Sequence, residues 1–333
     1  MVAGNHHMLV TGGAGFIGSH LVERLLQRGG CVTVVDDLST GDERNLASAR
    51  ATAGDRLRVI RDTVSAAAAM PDLPRFDEIY HLAAAVGVRL IVDQPSHSIE
   101  TNVLETSAAI RWARRDGARL LVASSSEVYG KGARVPFAEA DDVVFGPTTT
   151  ARWSYGYSKA LDEFLTLAAV AECGLRAVVV RLFNTVGPRQ KGEWGMVLPR
   201  FVAAALAGRP LEVHGDGQQQ RCFCDVRDVA PALVQLLESA PHAAPVFNLG
   251  SDQMISMQAL AERVVRVTGS SSRLELVPHE RVFGRGFEDL RIRQPALERV
   301  RAAIGFAPAI ALDATIRDIA ASMRGSRSQE HAA

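Results

Sequence analysis

The sequence predicts an α/β protein with a doubly wound parallel sheet, covered by helices on both faces. Three observations carry this expectation. Short β-branched runs alternate with segments of helical spacing, the strand-like runs are apolar throughout, and glycine or polar residues separate each pair. Strands are expected at Met8–Thr11, Val32–Asp36, Leu57–Arg61, Glu78–Leu82, Arg119–Ser124 and Arg176–Phe183. Between the first two, Ile17, Leu21, Leu25 and Leu26 form the apolar face of a helix that Gly29 and Gly30 end. Beyond residue 188 the pattern loosens. Helices are expected near Val197–Ala207, Val226–Glu238, Met257–Thr268 and Leu312–Met323, with short strands at Leu211–His214 and Val246–Leu249. The expected division is a first domain at 1–188, a smaller α/β lobe at 189–325 and a disordered tail at 326–333. Part of 222–250 is expected to return to the first domain.

At 333 residues the chain exceeds the usual span of one compact core, which fits one large domain or two joined lobes. Hydrophobic residues make up 47% and charged residues 22%, an ordinary globular composition. Lys+Arg and Asp+Glu each total 37, which gives no support to charge-driven binding of nucleic acid or an anionic membrane. No uninterrupted apolar run is long enough to cross a bilayer, and MVAGNHHMLVTGG has neither flank nor core of a signal peptide. A cytoplasmic enzyme or binding protein is expected. Of the four cysteines, Cys222 and Cys224 flank Phe223, with no second pair or nearby histidine to complete a metal set, so no metal is expected.

Residues 9–18, LVTGGAGFIG, run from a strand into a glycine-rich turn and then a helix. Gly12, Gly15 and Gly18 allow a tight turn, close approach of backbone amides to a pyrophosphate, and close packing of helix on strand. The helix start then favours a phosphate. Phe16 and Ile17 belong to the same turn. A glycine triplet alone is weak evidence; the strand before it and VTVVDD after it strengthen the reading. Asp36, ending the second strand, suits the two hydroxyls of an adenine ribose and repels a ribose phosphate, so NAD is expected rather than NADP. Asp37 adds to that repulsion or caps the next segment. Asp62 either reaches the adenine amino group or is a solvated loop residue.

Tyr155 and Lys159 stand four apart in WSYGYSKALDEF and so share a helix face. An ammonium beside a phenol stabilises the phenolate, which then serves as a general base for an alcohol. The pattern is common by chance. Tyr157, two residues from Lys159, is a decoy. The strand at 119–125 ends in SSSEVYG, which puts Ser124, Ser125, Ser126 and Glu127 at the mouth of the expected cleft. Hydroxyls there suit a reacting oxygen, with turn chemistry the competing role. Glu127 is a candidate to accept or relay a proton.

TGGAGFIG, the Asp36 strand end, HLAA at 81–84 (with Leu82 and Ala83 against the cofactor), SSSEVYG, Tyr155/Lys159 and RLFNTVGPR at 181–189 occur in order at sensible intervals. Together they resemble the nucleotide-sugar branch of the extended short-chain dehydrogenase/reductases, over roughly residues 8–320. The resemblance implies a Rossmann-type fold, NAD, a UDP-sugar substrate, and catalysis by Ser125, Tyr155 and Lys159. Within that branch, Ser125-Ser126-Glu127 is similar to the Thr-Ser-Glu of UDP-glucuronate decarboxylases (UDP-xylose synthases), where 4,6-dehydratases of dTDP-glucose carry Asp-Glu. GDP-mannose dehydratases share Thr-Ser-Glu but use NADP, which Asp36 disfavours. RIRQPALERV at 291–300 puts Arg293 where those decarboxylases carry the arginine near the sugar carboxylate, with Gln294 in place of lysine. The resemblance further assigns Asn184 to a phosphate or sugar, Arg221 to the diphosphate, and His214 to the uracil, where a tyrosine is usual.

The implied reaction is NAD-dependent decarboxylation of UDP-glucuronate through a 4-keto intermediate, to UDP-xylose or the 4-keto pentose. Tyr155 takes the proton from the hydroxyl at carbon 4, Ser125 binds the forming ketone, Arg293 positions the carboxylate, and Ser126 and Glu127 orient the sugar. The segment AAVGVRLIVDQP after HLA looks epimerase-like, so a UDP-sugar 4-epimerase stays open, as do an NDP-sugar 4,6-dehydratase and a non-catalytic NAD-binding regulator. The family habit of pairing through two helices implies a homodimer with a four-helix contact near 98–115 and 155–172, using Leu104, Ile110, Leu161 and Leu165.

Overall fold

The computed structural model describes residues 6–87, 91, 93–192, 196–239, 246–283 and 290–330. Six parallel strands follow the expected order with ends moved by a residue or so: β1 His7–Thr11, β2 Cys31–Val35, β3 Leu57–Ile60, β4 Glu78–His81, β5 Arg119–Ser125 and β6 Ala177–Leu182. A seventh, Val246–Leu249, pairs parallel with β6. The spatial order is Val246–Leu249, β6, β5, β4, β1, β2, β3, so the chain reverses direction across the sheet between β1 and β4. At such a switch point the loops leaving the strands diverge and leave a crevice.

Both faces of the sheet are buried, which is why the strands read as continuous apolar runs. Val10, Val34, Tyr80, Leu121 and Val180 face one core, together with Leu21, Leu25 and Leu26 of the helix Phe16–Gln27 and Leu233 and Leu237 of the helix Val226–Ser239. Leu9, Val35, Ile79, Leu120 and Val122 face the other, with Ala109, Trp112 and Ala113 of the helix Pro95–Asp116 and Ala169 of the helix Ser154–Cys173. Each such leucine withdrawn from water contributes about 1.5–3 kcal/mol.

A third core holds the smaller lobe together. Leu198, Phe201 and Val202 of the helix Val197–Leu206 meet Leu260 and Val264 of Met257–Thr268, and Ile316 and Ile319 of Leu312–Glu330. Leu211–His214 pairs with Leu274–Val277, and Gln220–Cys222 lies between Met254–Ser256 and Ile292–Arg293.

Three expectations need correction. Leu297, Val300 and Phe306 pack into the first core, so the helix Glu298–Ile304 belongs with the large sheet although it lies inside the stretch assigned to the smaller lobe. It covers the edge next to Val246–Leu249, which an assignment by chain position misses. The last helix continues to Glu330, inside the expected tail, because nothing between Met323 and Glu330 breaks it; residues 331–333 lie outside the described residues. Ile110 is 6% exposed and belongs to the sheet core, whereas Leu104, Leu161 and Leu165 are exposed on their helices. Among the described residues no helix is long and apolar enough to cross a membrane.

The helix Ser154–Cys173 is locked onto the sheet by charge. Arg181 on β6 reaches Glu163 through Nη2 to Oε2 at 2.7 Å and Nε to Oε1 at 3.0 Å, and the Ser124 hydroxyl donates to the same carboxylate. All three are buried. Arg181→Met strands Glu163 without a counter-charge, and an expected loss of about 3–5 kcal/mol shows as a lower denaturant midpoint.

Candidate active site

The crevice at the carboxyl ends of β1, β2, β4 and β5 opens into a cavity of about 760 Å³ between the two lobes. Gly12, Gly15, Phe16, Ile17, Gly18, Asp36, Asp37, Asp62, Leu82 and Ala83 line one part of it. Ser125, Ser126, Glu127, Tyr155, Asn184, His214, Arg221 and Arg293 line the remainder. Of the catalytic, cofactor and substrate residues expected from the sequence, Lys159 alone does not reach the wall.

The glycine turn is shaped by its contacts. Gly12 has φ +68°, and a Cβ there would lie 2.8 Å from the Ala83 amide nitrogen. A Cβ on Gly18 would collide with the Gly12 carbonyl oxygen. The missing side chains therefore let β1, β4 and the helix Phe16–Gln27 converge. Asp36 accepts from the Ala14 amide through Oδ2 and from the Leu38 amide through Oδ1, both at 2.9 Å, which aims its carboxylate along the cavity wall. Burial raises its pKa against the pull of those amides. Asp37 accepts from the amide and hydroxyl of Ser39, and Asp62 from the Thr63 amide, so both also serve turns. A side-chain-free turn at a helix start beside a strand-end carboxylate fits a dinucleotide.

At the other end, two buried arginines and a half-buried glutamate form one charge cluster. Glu127 lies in the tight turn Ser126–Tyr129 that follows β5, whose start is capped by the Ser125 hydroxyl accepting from the Glu127 amide at 3.2 Å. Its Oε1 accepts from Arg293 Nη1 at 2.6 Å, and its Oε2 pairs with Arg152 Nη1 at 2.7 Å. Burial by itself would raise Glu127, but the two guanidinium groups outweigh it and hold the carboxyl far below the usual range. The two guanidinium groups thus favour the ionised carboxylate of Glu127 in the free protein, the form able to accept a proton. Arg152 was not singled out from the sequence. Its signal is its place three residues before Tyr155 at the helix entry, which the turn Ala151–Trp153 points at Glu127.

Tyr155 is 6% exposed and its hydroxyl lies near the Ser125 side chain. Burial, then Glu127 and Asp162, push the phenol well above its usual value. This runs opposite to the expected lowering by Lys159, whose Nζ donates instead to Asp162 Oδ2 at 2.7 Å. Ser126 is buried on the cavity wall, whereas Ser124 is taken by Glu163. Tyr157 is 38% exposed and packs on Phe145, so it stands apart from the site.

In the smaller lobe, Asn184 Nδ2 donates to the Cys222 carbonyl at 2.9 Å, which ties the RLFNTVGPR loop to the strand carrying Arg221. Pairing of Gln220–Cys222 with Ile292–Arg293 sets Arg221 beside Arg293. His214 Nε2 takes the Arg200 Nη1 contact at 2.5 Å, so Arg200 is a second cavity residue that sequence reasoning passed over. Cys222 and Cys224 are buried free thiols; burial, then Asp252, pushes Cys222 up to about 12.

A family profile described as "NAD dependent epimerase/dehydratase family" matches residues 8–250. The chain belongs to that family. Within the family it is 36% identical, over 93% of its length and 95% of the relative's, to a UDP-N-acetyl-alpha-D-glucosaminuronate decarboxylase of Bacillus cytotoxicus. It is 35% identical to UDP-glucuronic acid decarboxylase 1 of Arabidopsis thaliana, over 92% of this chain and 67% of the relative. Among solved structures it resembles MoeE5 in complex with UDP-glucuronic acid and NAD, with TM-score 0.80, 30% identity, and 96% and 99% of the two chains covered. It also resembles a Thermus thermophilus UDP-glucose 4-epimerase in complex with NAD, with TM-score 0.82, 27% identity and the same coverage.

The Glu127 cluster carries a pH signature. A carboxyl depressed in the folded state contributes stability above its unfolded pKa of about 4.3, and loses it as pH falls through the folded value. Glu127→Gln is therefore expected to flatten the acid-side fall in stability below about pH 4, read from melting temperature against pH. An unchanged slope would show that the cluster does not bear on it.

Proposed function

We propose that the protein catalyses NAD-dependent decarboxylation of UDP-glucuronate through a 4-keto intermediate, to UDP-xylose or the UDP-4-keto-pentose. The observation that carries this reading is the pair Arg152 and Arg293, both buried on the cavity wall at Tyr155's end and meeting at the Glu127 carboxylate. Two guanidinium groups on that wall suit a hexuronate carboxylate, which they can grip through paired hydrogen bonds, better than a neutral hexose.

NAD, when bound, supplies the reversible hydride acceptor for the alcohol at carbon 4. Gly12, Gly15 and Gly18 would receive its pyrophosphate and Asp36 its adenine ribose, with Phe16, Ile17, Asp37, Asp62, Leu82 and Ala83 around it. Lys159 would hold the other ribose. Tyr155 takes the proton from the carbon-4 hydroxyl, and Ser125, near Tyr155, donates to the ketone oxygen as it forms. The resulting β-keto acid loses carbon dioxide because the new carbonyl accepts the electron pair. Arg293, joined by Arg152, orients the leaving carboxylate, while Ser126 and Glu127 order the sugar and the proton return to carbon 5. Arg221 and Asn184 bind the diphosphate region, and His214 the uracil. The exposed Leu104, Leu161 and Leu165 suit a homodimer contact between two pairs of helices.

A second substrate, UDP-N-acetylglucosaminuronate, is favoured by the Bacillus cytotoxicus relative, which differs in name at carbon 2 but keeps the carboxylate. Mass spectrometry of each UDP-hexuronate incubated with enzyme and NAD⁺ decides between them. Loss of carbon dioxide is expected, with NADH absorbance separating the 4-keto product from the pentose. An unchanged mass on both substrates would turn the assignment to 4-epimerisation. Tyr155→Phe is expected to lower kcat by about 10²–10⁴-fold. Arg293→Met should slow carbon dioxide release by about tenfold or more while UDP binding is retained, measured by stopped-assay carbon dioxide capture and by calorimetry.

A further inference from the structure

Lys159 is 2% exposed and Asp162 is 0% exposed, and their contact at 2.7 Å turns the ammonium into the protein instead of along the cavity wall. Asp162 lies one helical turn beyond Lys159, against the helix Pro95–Asp116. There the Thr106 hydroxyl is its other polar neighbour. His81 of β4 completes the surroundings, with Nε2 at 3.1 Å from Thr106 Oγ1 and Nδ1 at 2.9 Å from Thr11 Oγ1. Burial, then Lys159, pushes His81 down to about 3, so it stays neutral beside the ammonium. Thr11 Oγ1 in turn accepts from the Ala83 amide on the cavity wall. A run of buried polar contacts thus leads from the cofactor end of the cavity to Thr106, near Asp162.

A position packed between two helices and the sheet is well filled by an apolar side chain, and a carboxylate there carries a desolvation cost. Its one cationic partner is the lysine that the reaction requires. We propose that Asp162 is a positioning residue. It holds the Lys159 ammonium in the free protein, competes for it with the ribose of NAD and with Tyr155, and so sets the pH range in which Tyr155 acts as a base.

This inference rests on Tyr155 being the base. The groups facing the pair are few. Glu127, with Arg152 and Arg293 on its far side, and the Ser125 hydroxyl face Tyr155 from the β5 end. Asp162 faces both Tyr155 and Lys159 from their own helix, and His81 faces Lys159 from β4. Glu163, next in sequence, is committed to Arg181 and Ser124. Removing the charge of Asp162 acts in one direction. Tyr155 loses a nearby anion and Lys159 gains freedom to approach it, and both changes favour the phenolate.

The test is Asp162→Asn, which keeps the shape and drops the charge. Calorimetry without sugar substrate is expected to show NAD binding tightened by about tenfold, because the competitor for Lys159 is gone. The acid limb of the kcat/KM profile is expected to move to lower pH by about one unit. Asp162→Ser should shift both in the same direction and stands in where the asparagine variant does not fold. A purely structural carboxylate predicts the opposite: lower melting temperature, NAD binding unchanged or weaker, and an unmoved acid limb, which would overturn the proposal. NAD binding is read without turnover, so failure of the decarboxylase assignment leaves this test intact.

Discussion

Charges taken out of water need partners at contact distance, and three such pairings organise the carboxyl end of this sheet. Arg181 and Glu163 fasten the Ser154–Cys173 helix to β6. Lys159 and Asp162 lie on that helix's inner side, against the Pro95–Asp116 helix. Arg152, Glu127 and Arg293 join the helix entry, the turn after β5 and a strand of the smaller lobe. The third bridges the two lobes beside the backbone pairing of Phe137 with Gln294 and Ala296, so that two arginines from different segments meet at one carboxylate. Each pair fixes a group that the proposed chemistry uses or flanks.

The cofactor end follows a steric logic instead. Gly12 and Gly18 are places where backbone meets backbone, and any side chain would push the helix away from β1 and β4. The turn leaves amides facing a cavity, with the Asp36 carboxylate held beside it by the Ala14 amide. Ser125 and Tyr155 lie on the wall of the same cavity, where the proposed reaction would bring the sugar within reach of both cofactor and base.

Much of the architecture was legible from local pattern. Continuous apolar runs mark strands buried on both faces, and their ends shifted by only a residue or so in the structure. Gly12, Gly15, Gly18 and Asp36 were readable because a dinucleotide turn is a local object, determined by neighbours in sequence. Arg152 was not, because its role depends on Glu127, 25 positions earlier, and Arg293, 141 positions later. Likewise, Tyr155 and Lys159 share a helix face as their spacing requires, yet the ammonium pairs with Asp162. Helical spacing says which residues are adjacent and leaves open which neighbour a long side chain chooses.

By itself the sequence determined the alternation of buried strands and helices that implies a parallel sheet, the glycine turn, the strand-end carboxylate and the tyrosine–lysine helix, since each shows as a pattern within a short stretch of chain. Only the tertiary structure decided how Glu127 is held, where the Lys159 ammonium points and that Glu298–Ile304 returns to the large sheet. Those outcomes turn on buried charge and on apolar surface contributed by segments far apart in the chain. Their energies depend on exclusion of water, which exists only once the layers have closed over them.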